Sequence, residues 1–297
     1  MLTTNQHSGL PNFLVIGAAK AGTTSLYHYL RQHPGIFMSA DKEPRFLALG
    51  EQPWPFLNDG GAGRNIVNLA GYRALFAPAR SDQVTGEASV IYMYMERTIG
   101  RIRELIPRAK FIAILRQPAD RAFSHHAMMR RGGVEPLDFE HALAAENARV
   151  AARWHPAFHY RRRGNYFEQL SRYYANFGKT SIKIILHDDL VTDPGAVLAE
   201  LLDFLEVDSA FKADVAARHN EGGLAPRNMR VYSALLRLRQ RVPRLPAMPA
   251  LRKLARTLTL FPVALSQDLR KRLTADYRDG ILRLGDLIDR DLSIWLL

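Results

Sequence analysis

The sequence predicts a three-layer α/β domain, a central and mostly parallel sheet flanked by helices, on three observations. Apolar runs of strand length recur, segments of helical periodicity separate them, and a glycine-rich turn follows the first run directly. Continuous apolar runs suit strands buried on both faces of a parallel sheet, and strands that alternate with helices mark layered α/β folds. The strand candidates are residues 13–16 (FLVI), 83–86 (QVTG), 110–115 (KFIAIL) and 182–186 (IKIIL). The helix candidates are residues 23–32, 97–106, 118–131, 139–153, 166–177, 194–205 and 266–288. Pro118 and Pro194 open two of them, where the missing N–H is no loss. Residues 50–63, rich in Gly and Pro, predict a long surface loop of the functional kind.

A chain of 297 residues with 47% hydrophobic and 24% charged residues buries a sizeable core, which excludes disorder over most of its length. We expect a flexible tail over 1–11 and one domain over 12–297. Cysteine is absent, so disulfides, cysteine zinc sites, iron–sulfur clusters and thiol catalysis are excluded together. The first residues carry no basic segment leading into an apolar run, and no stretch reaches the ~18 apolar residues of a spanning helix. A soluble, cytoplasmic protein is the expectation. The net charge of +12 is concentrated, with nine Arg or Lys and no acid between Glu221 and Asp268. Residues 222–262, broken by Pro243, Pro246 and Pro249, read as a basic covering segment. It is either a solvated face or a contact for an anionic partner such as a nucleotide phosphate, an acidic acceptor or a membrane surface. No nucleic-acid recognition motif accompanies the charge, so no specific nucleic-acid partner is expected.

After the first strand comes Gly17-Ala-Ala-Lys20-Ala21-Gly22-Thr23-Thr24-Ser25, then a helix with Leu26, Tyr29 and Leu30 on its apolar face. A strand, a glycine turn and a helix start make an anion site, because unpaired N–H groups and the helix dipole face the turn. The spacing of Gly17 and Gly22 matches the triphosphatase loop G-x-x-x-x-G-K-[ST], but Thr23 stands where that pattern has lysine. The lysine is earlier, at Lys20, which disturbs triphosphate–magnesium geometry. Glycines that serve tight geometry alone are the other reading. Three hydroxyls in a row favour the anion, since capping the helix needs only one.

The strand 110–115 delivers Arg116 to its carboxyl end, where open α/β sheets bind ligands, and the next helix carries Arg121 and Ser124. A guanidinium and a hydroxyl at that edge suggest a second phosphate site, and a surface arginine paired with a carboxylate is the alternative. The adjacent His125 and His126 read as packing or supporting groups. His155 and His159 lack the pattern of a zinc pair, and no metal site is expected. Strand 182–186 runs into His187-Asp188-Asp189, which resembles the aspartate-ended strand that holds magnesium in triphosphatases.

The runs FLVIGAAKAGTTSLYHYL, KEPRFL, GEAS followed by a tyrosine, and FIAILRQPADRAFSHH, in this order, resemble the sulfotransferases that use 3′-phosphoadenosine 5′-phosphosulfate (PAPS). The likeness is greatest to the bacterial and heparan sulfate branch. It covers residues 12–126 in motifs and 164–205 in general look. The resemblance implies a P-loop-like α/β fold and transfer of a sulfuryl group to an acceptor hydroxyl or amine, a small molecule or carbohydrate, without metal. The product is adenosine 3′,5′-bisphosphate. It further implies that Gly17, Ala21, Gly22, Thr23, Thr24 and Ser25 hold the 5′-phosphosulfate, with Lys20 the catalytic lysine. Arg116 and Ser124 become the 3′-phosphate clamp, Arg227 a residue of the loop closing on the nucleotide, and Glu43 the base. Glu87 is a second candidate base or a partner of Lys20, while Lys42 and Arg45 face the acceptor. This chain departs from the pattern at Val90, where relatives usually have proline, and at Ala88, where some have lysine. The rival reading from residues is a magnesium-dependent P-loop kinase or nucleoside triphosphatase, and a third is a basic binding protein for anionic polymers or membranes.

Overall fold

A computed structural model describes residues 9–51, 55–58, 66–216, 224–226, 229, 232 and 260–297. Five strands, β1 (Phe13–Gly17), β2 (Ile36–Met38), β3 (Val84–Ala88), β4 (Lys110–Leu115) and β5 (Ile182–Leu186), form one sheet in the order β2-β3-β1-β4-β5. Every pairing is parallel. All of β1 and all but the first residue of β4 are buried, as expected of strands covered on both faces. The three strands with long apolar runs lie where the sequence put them. β3 runs two residues past its expected end, and β2 was not foreseen, because three residues carry no periodicity.

The helices are α1 (Thr23–Leu30), α2 (Phe46–Leu49), α3 (Leu69–Ala74), α4 (Thr98–Leu105), α5 (Pro118–Arg131), α6 (Phe139–Ala144), α7 (Glu146–Ala151), α8 (Tyr166–Phe177), α9 (His187–Thr192), α10 (Pro194–Phe204) and α11 (Gln267–Ile288). The single helix expected over 139–153 is two, divided at Ala145. Just beyond the division, the buried Glu146 accepts the backbone N–H groups of Arg161 and Arg162 at 2.6 and 2.8 Å. Of the expected loop at 50–63 only 50, 51 and 55–58 are described, and Gly50 is buried. α11 returns to the sheet edge: Gln117 Nε2 donates to Thr274 Oγ1 at 2.9 Å and to the carbonyl of the buried Trp295 at 3.2 Å. Two short strands, β6 (Leu224–Pro226) and β7 (Leu260–Pro262), pair antiparallel beside α5. Among the described residues no helix is long and apolar enough to cross a membrane.

The order of the strands decides where a ligand fits. The chain leaves β1 towards β2 on one side and leaves β4 towards β5 on the other. Between the carboxyl ends of β1 and β4 the two loops therefore part and leave a crevice, the usual ligand position of open α/β sheets.

The sheet is tight at Gly86, where an added Cβ would stand 2.2 Å from the ring of Phe13, which is fully buried. Gly86→Ala is expected to destabilise the fold by roughly 1–3 kcal/mol. Gly100→Ala, in open space within α4, is expected to stabilise it by up to ~1 kcal/mol. Thermal unfolding of both variants beside the wild type checks the pair.

Candidate active site

The crevice opens into a cavity of about 930 Å³, large enough for a nucleotide. Lys20, Gly22, Thr23, Thr24, Ser25, Lys42, Glu43, Arg45, Arg116 and Ser124, ten of the residues expected from sequence, all line it. Gly17 and Ala21 lie beneath the lining. A Cβ on Gly17 would meet Met93 at 3.1 Å, so that glycine serves packing of the turn. Arg227 and most of the basic segment fall outside the described residues.

α1 begins at Gly22, which holds φ 101° and gives no side-chain cap. The hydroxyls of Thr23–Ser25 therefore do not cap the helix from Gly22's position, and these first-turn residues face the cavity. A helix start without an internal cap favours an anion through its N–H groups and its dipole. Lys20 stands in the turn at φ 70°. Burial lowers its pKa to about 8, with Arg131, Arg116 and Lys42 adding like-charge repulsion. Arg116 donates to the Lys20 carbonyl at 3.4 Å.

Across the cavity Glu43 holds φ 64° and Arg45 φ 58°. Side chains in the left-handed region cost roughly 1–2 kcal/mol each and persist where surroundings over-determine them. Glu43 lies 3.3 Å from Arg45 Nε and 3.6 Å from Lys42 Nζ. Among the described lining residues it is the one carboxylate, beside six cations: Lys20, Lys42, Arg45, Arg116, Arg131 and Arg163.

Glu87 is elsewhere. It is fully buried beneath the lining, where it accepts hydrogen bonds from Tyr92 Oη at 2.6 Å, Ser89 Oγ at 2.7 Å and Tyr72 Oη at 2.8 Å. Burial raises its pKa to about 7 against the lowering effect of those three hydroxyls. It is absent from the cavity lining, and among the described residues it makes no ion pair with Lys20.

Among the charged lining residues sequence reasoning missed Arg163 and Arg131, and it named His125 only as a packing or supporting group. Arg163 is buried, donates to the Val90 carbonyl at 3.1 Å, and has its pKa lowered to about 10 by burial and then by Arg121. His125 lines the cavity and is kept neutral by burial first and by Arg163 next. Arg131 ends α5, seven residues from Ser124 on the same helix face. That spacing was readable once 118–131 was taken as a helix. Asp188 and Asp189 do not line the cavity, although His187 does; Asp189 pairs with Arg290 at 2.8 Å and Asp188 with His187 at 3.4 Å.

Fold and cavity together define an α/β protein that presents a glycine loop, a helix start and converging cations to a polyanionic ligand. Residues 11–211 match the pattern of the sulfotransferase family. A sulfotransferase from Alicyclobacillus acidocaldarius superposes with a TM-score of 0.76 at 31% identity, covering 96% of this chain and 98% of that one. The human bifunctional heparan sulfate N-deacetylase/N-sulfotransferase 3 is 31% identical over 207 residues, 67% of this chain and 22% of that protein. The mouse heparan sulfate glucosamine 3-O-sulfotransferase 6 is 28% identical over 200 residues, 66% of this chain and 52% of that protein. The chain thus spans between a fifth and about half of the length of these two relatives. It belongs to the sulfotransferase family.

A group bound more tightly to protons when folded stabilises the fold below its unfolded pKa and loses that contribution as pH rises through its folded value. For Glu87 the window runs from the ordinary carboxyl value of 4.5 to about 7. Between these pH values the wild type should lose roughly 2–3 kcal/mol relative to Glu87→Gln. Denaturant melts of both proteins at pH 4.5 and 7.5 read the difference, which vanishes if Glu87 titrates normally.

Proposed function

We propose that this protein transfers a sulfuryl group from PAPS to an acceptor hydroxyl or amine, and that residues 12–297 work as one domain. The observation that carries the reading is the convergence of Lys20, Glu43, Arg116 and Ser124 on one cavity at the parting of β1 and β4. Membership of the sulfotransferase family supports the reaction class. The chemistry supplied by the donor is a sulfuryl group on a good leaving phosphate. Its 5′ end suits the turn before α1 and its 3′-phosphate suits Arg116 and Ser124.

Glu43 takes the proton from the acceptor as the new oxygen–sulfur or nitrogen–sulfur bond forms. Lys20 and the N–H groups at the start of α1 stabilise the charge gathering on the bridging oxygen as its bond to sulfur breaks. Adenosine 3′,5′-bisphosphate leaves. Lys42 and Arg45 hold Glu43 in place and face the acceptor. Glu87, buried among three hydroxyls, acts as a positioning residue in this scheme. The kinase reading is weaker for this chain because neither Asp188 nor Asp189 lines the cavity, Asp189 being paired with Arg290 and Asp188 lying against His187.

Titration calorimetry with adenosine 3′,5′-bisphosphate, 5′-AMP and ATP–Mg tests the reading. The bisphosphate should bind at micromolar Kd with chelator present and 5′-AMP at least tenfold more weakly; binding of ATP–Mg alone would replace this reading by the kinase. Arg116→Ala should weaken the bisphosphate by tenfold or more. Glu43→Gln should lower turnover by a hundredfold or more while changing that affinity little, and Lys20→Ala should lower turnover by more than it weakens that affinity.

Lys20 adds a pH signature. With its pKa near 8 in the ligand-free site, it is half deprotonated at pH 8, and an arriving anion restores the proton. Binding at pH 8 should therefore take up about half a proton. Titrations in two buffers of different ionisation enthalpy measure the uptake, which Lys20→Ala should abolish.

A further inference from the structure

α5 does not merely carry Ser124 to the cavity; it lies along it. Ser124, His125, Met128, Met129 and Arg131 all line the cavity, which is one stripe of a helix at offsets of one, four, five and seven. The last two arginines of the helix have different fates. Arg130 is held by carbonyls, donating to Leu137 at 3.2 Å and to Pro226 at 3.3 Å. The Arg131 guanidinium makes no hydrogen bond or ion pair among the described residues, although its backbone carbonyl is fixed by Tyr232 Oη at 2.7 Å. A cation anchored by its main chain, with no partner for its side chain among the described residues and with Lys20 as a like-charged neighbour, is a group that an anion can engage.

The length of the helix says which anion. Seven residues of α-helix span about 10 Å, so Ser124 and Arg131 mark two separated points along one face. The donor has two separated anionic ends, the 3′-phosphate and the sulfuryl group, joined through the ribose and the 5′-phosphate. With Ser124 on the first end, Arg131 one helix-length of cavity away is the residue that supplies the foremost like-charge repulsion on Lys20, which puts it towards the second end. Resting on the donor assignment above, we propose that Arg131 is a binding residue for the sulfuryl group of PAPS, donating to its non-bridging oxygens beside Lys20. Its fork shares the negative charge that those oxygens carry before and during transfer, whereas Ser124 reads the opposite end of the same molecule.

The test compares two ligands that differ only by the sulfuryl group. Calorimetric Kd values for PAPS and for adenosine 3′,5′-bisphosphate are measured on the wild type, Arg131→Gln and Arg131→Lys at one ionic strength. The expected result is a loss of tenfold or more for PAPS with Arg131→Gln, a loss below threefold for the bisphosphate, and partial recovery of PAPS with Arg131→Lys. Retained bisphosphate affinity also shows that the variant folds. Equal losses for both ligands, or an unchanged PAPS affinity, overturn the role of Arg131 and leave the donor reading standing. A wild type that binds neither ligand overturns the donor reading, and this inference with it.

Discussion

The buried carboxyl of Glu87 is the interaction on which the Glu43–Arg45 side of the cavity depends. Three hydroxyls converge on it, and two of them serve a second purpose. Tyr92 Oη accepts the backbone N–H of Leu47 at 3.3 Å, and Ser89 Oγ accepts that of Arg45 at 3.1 Å. Glu43 N–H adds a bond to the Ala88 carbonyl at 2.9 Å. The strand end β3 thus grips the segment 43–47 from below, main chain first. Glu43 and Arg45 are held in left-handed backbone by these bonds, and their side chains are turned to the cavity. A buried polar cluster of this kind holds geometry only while every member is satisfied. Here each hydroxyl donates to the one acid, which is why a carboxyl is retained at a site where its burial is costly.

The cavity as a whole obeys a second constraint, that of charge. Among the described residues six cations and one carboxylate line the cavity, and burial makes the mutual repulsion of the cations larger than it would be on the surface. The fold accepts this because the cations arrive on separate supports: the turn after β1, the segment 42–45, the end of β4, the end of α5 and the turn before α8. Each support is fixed by contacts remote from the charges. Tyr166 Oη donates to the Arg116 carbonyl at 2.9 Å, and Tyr173 Oη donates to that of Tyr92 at 2.9 Å. The aromatic face of α8 therefore braces the carboxyl end of β4 and the turn that follows β3 together.

Legibility in the sequence followed the range of the interaction that fixes each feature. β1, β4 and β5 were readable because their apolar runs are local, and α5 and α8 because their periodicity is. β2, α2, α3 and α9 were not, since elements of three to six residues are set by tertiary packing rather than by pattern. At the site, the loop with Lys20 and the Arg116–Ser124 pair were legible as motifs. Arg163 was not, because it is the third of three successive arginines and only packing distinguishes it from Arg161 and Arg162. Glu87 shows the reverse: its residue type suggested chemistry, and Ser89 and Tyr92 stand close to it in sequence, but the approach of Tyr72 and the complete burial that enclose it are set by tertiary packing.

These two constraints explain why the site is incomplete by construction. The carboxyl end of the arrangement is saturated internally at Glu87 and leaves only Glu43 exposed to a ligand. The cationic lining is the opposite, with Lys20 depressed to about 8 and the Arg131 guanidinium without an internal partner among the described residues. A fold that satisfied those cations with its own acids would gain stability and would exclude an anionic substrate by the same charges. Holding them unsatisfied transfers part of the favourable electrostatic energy from folding to binding. An anion that enters relieves repulsion among groups already fixed in position, so little reorganisation is needed when it arrives, and that preorganisation is what makes such a site effective for transferring a charged group.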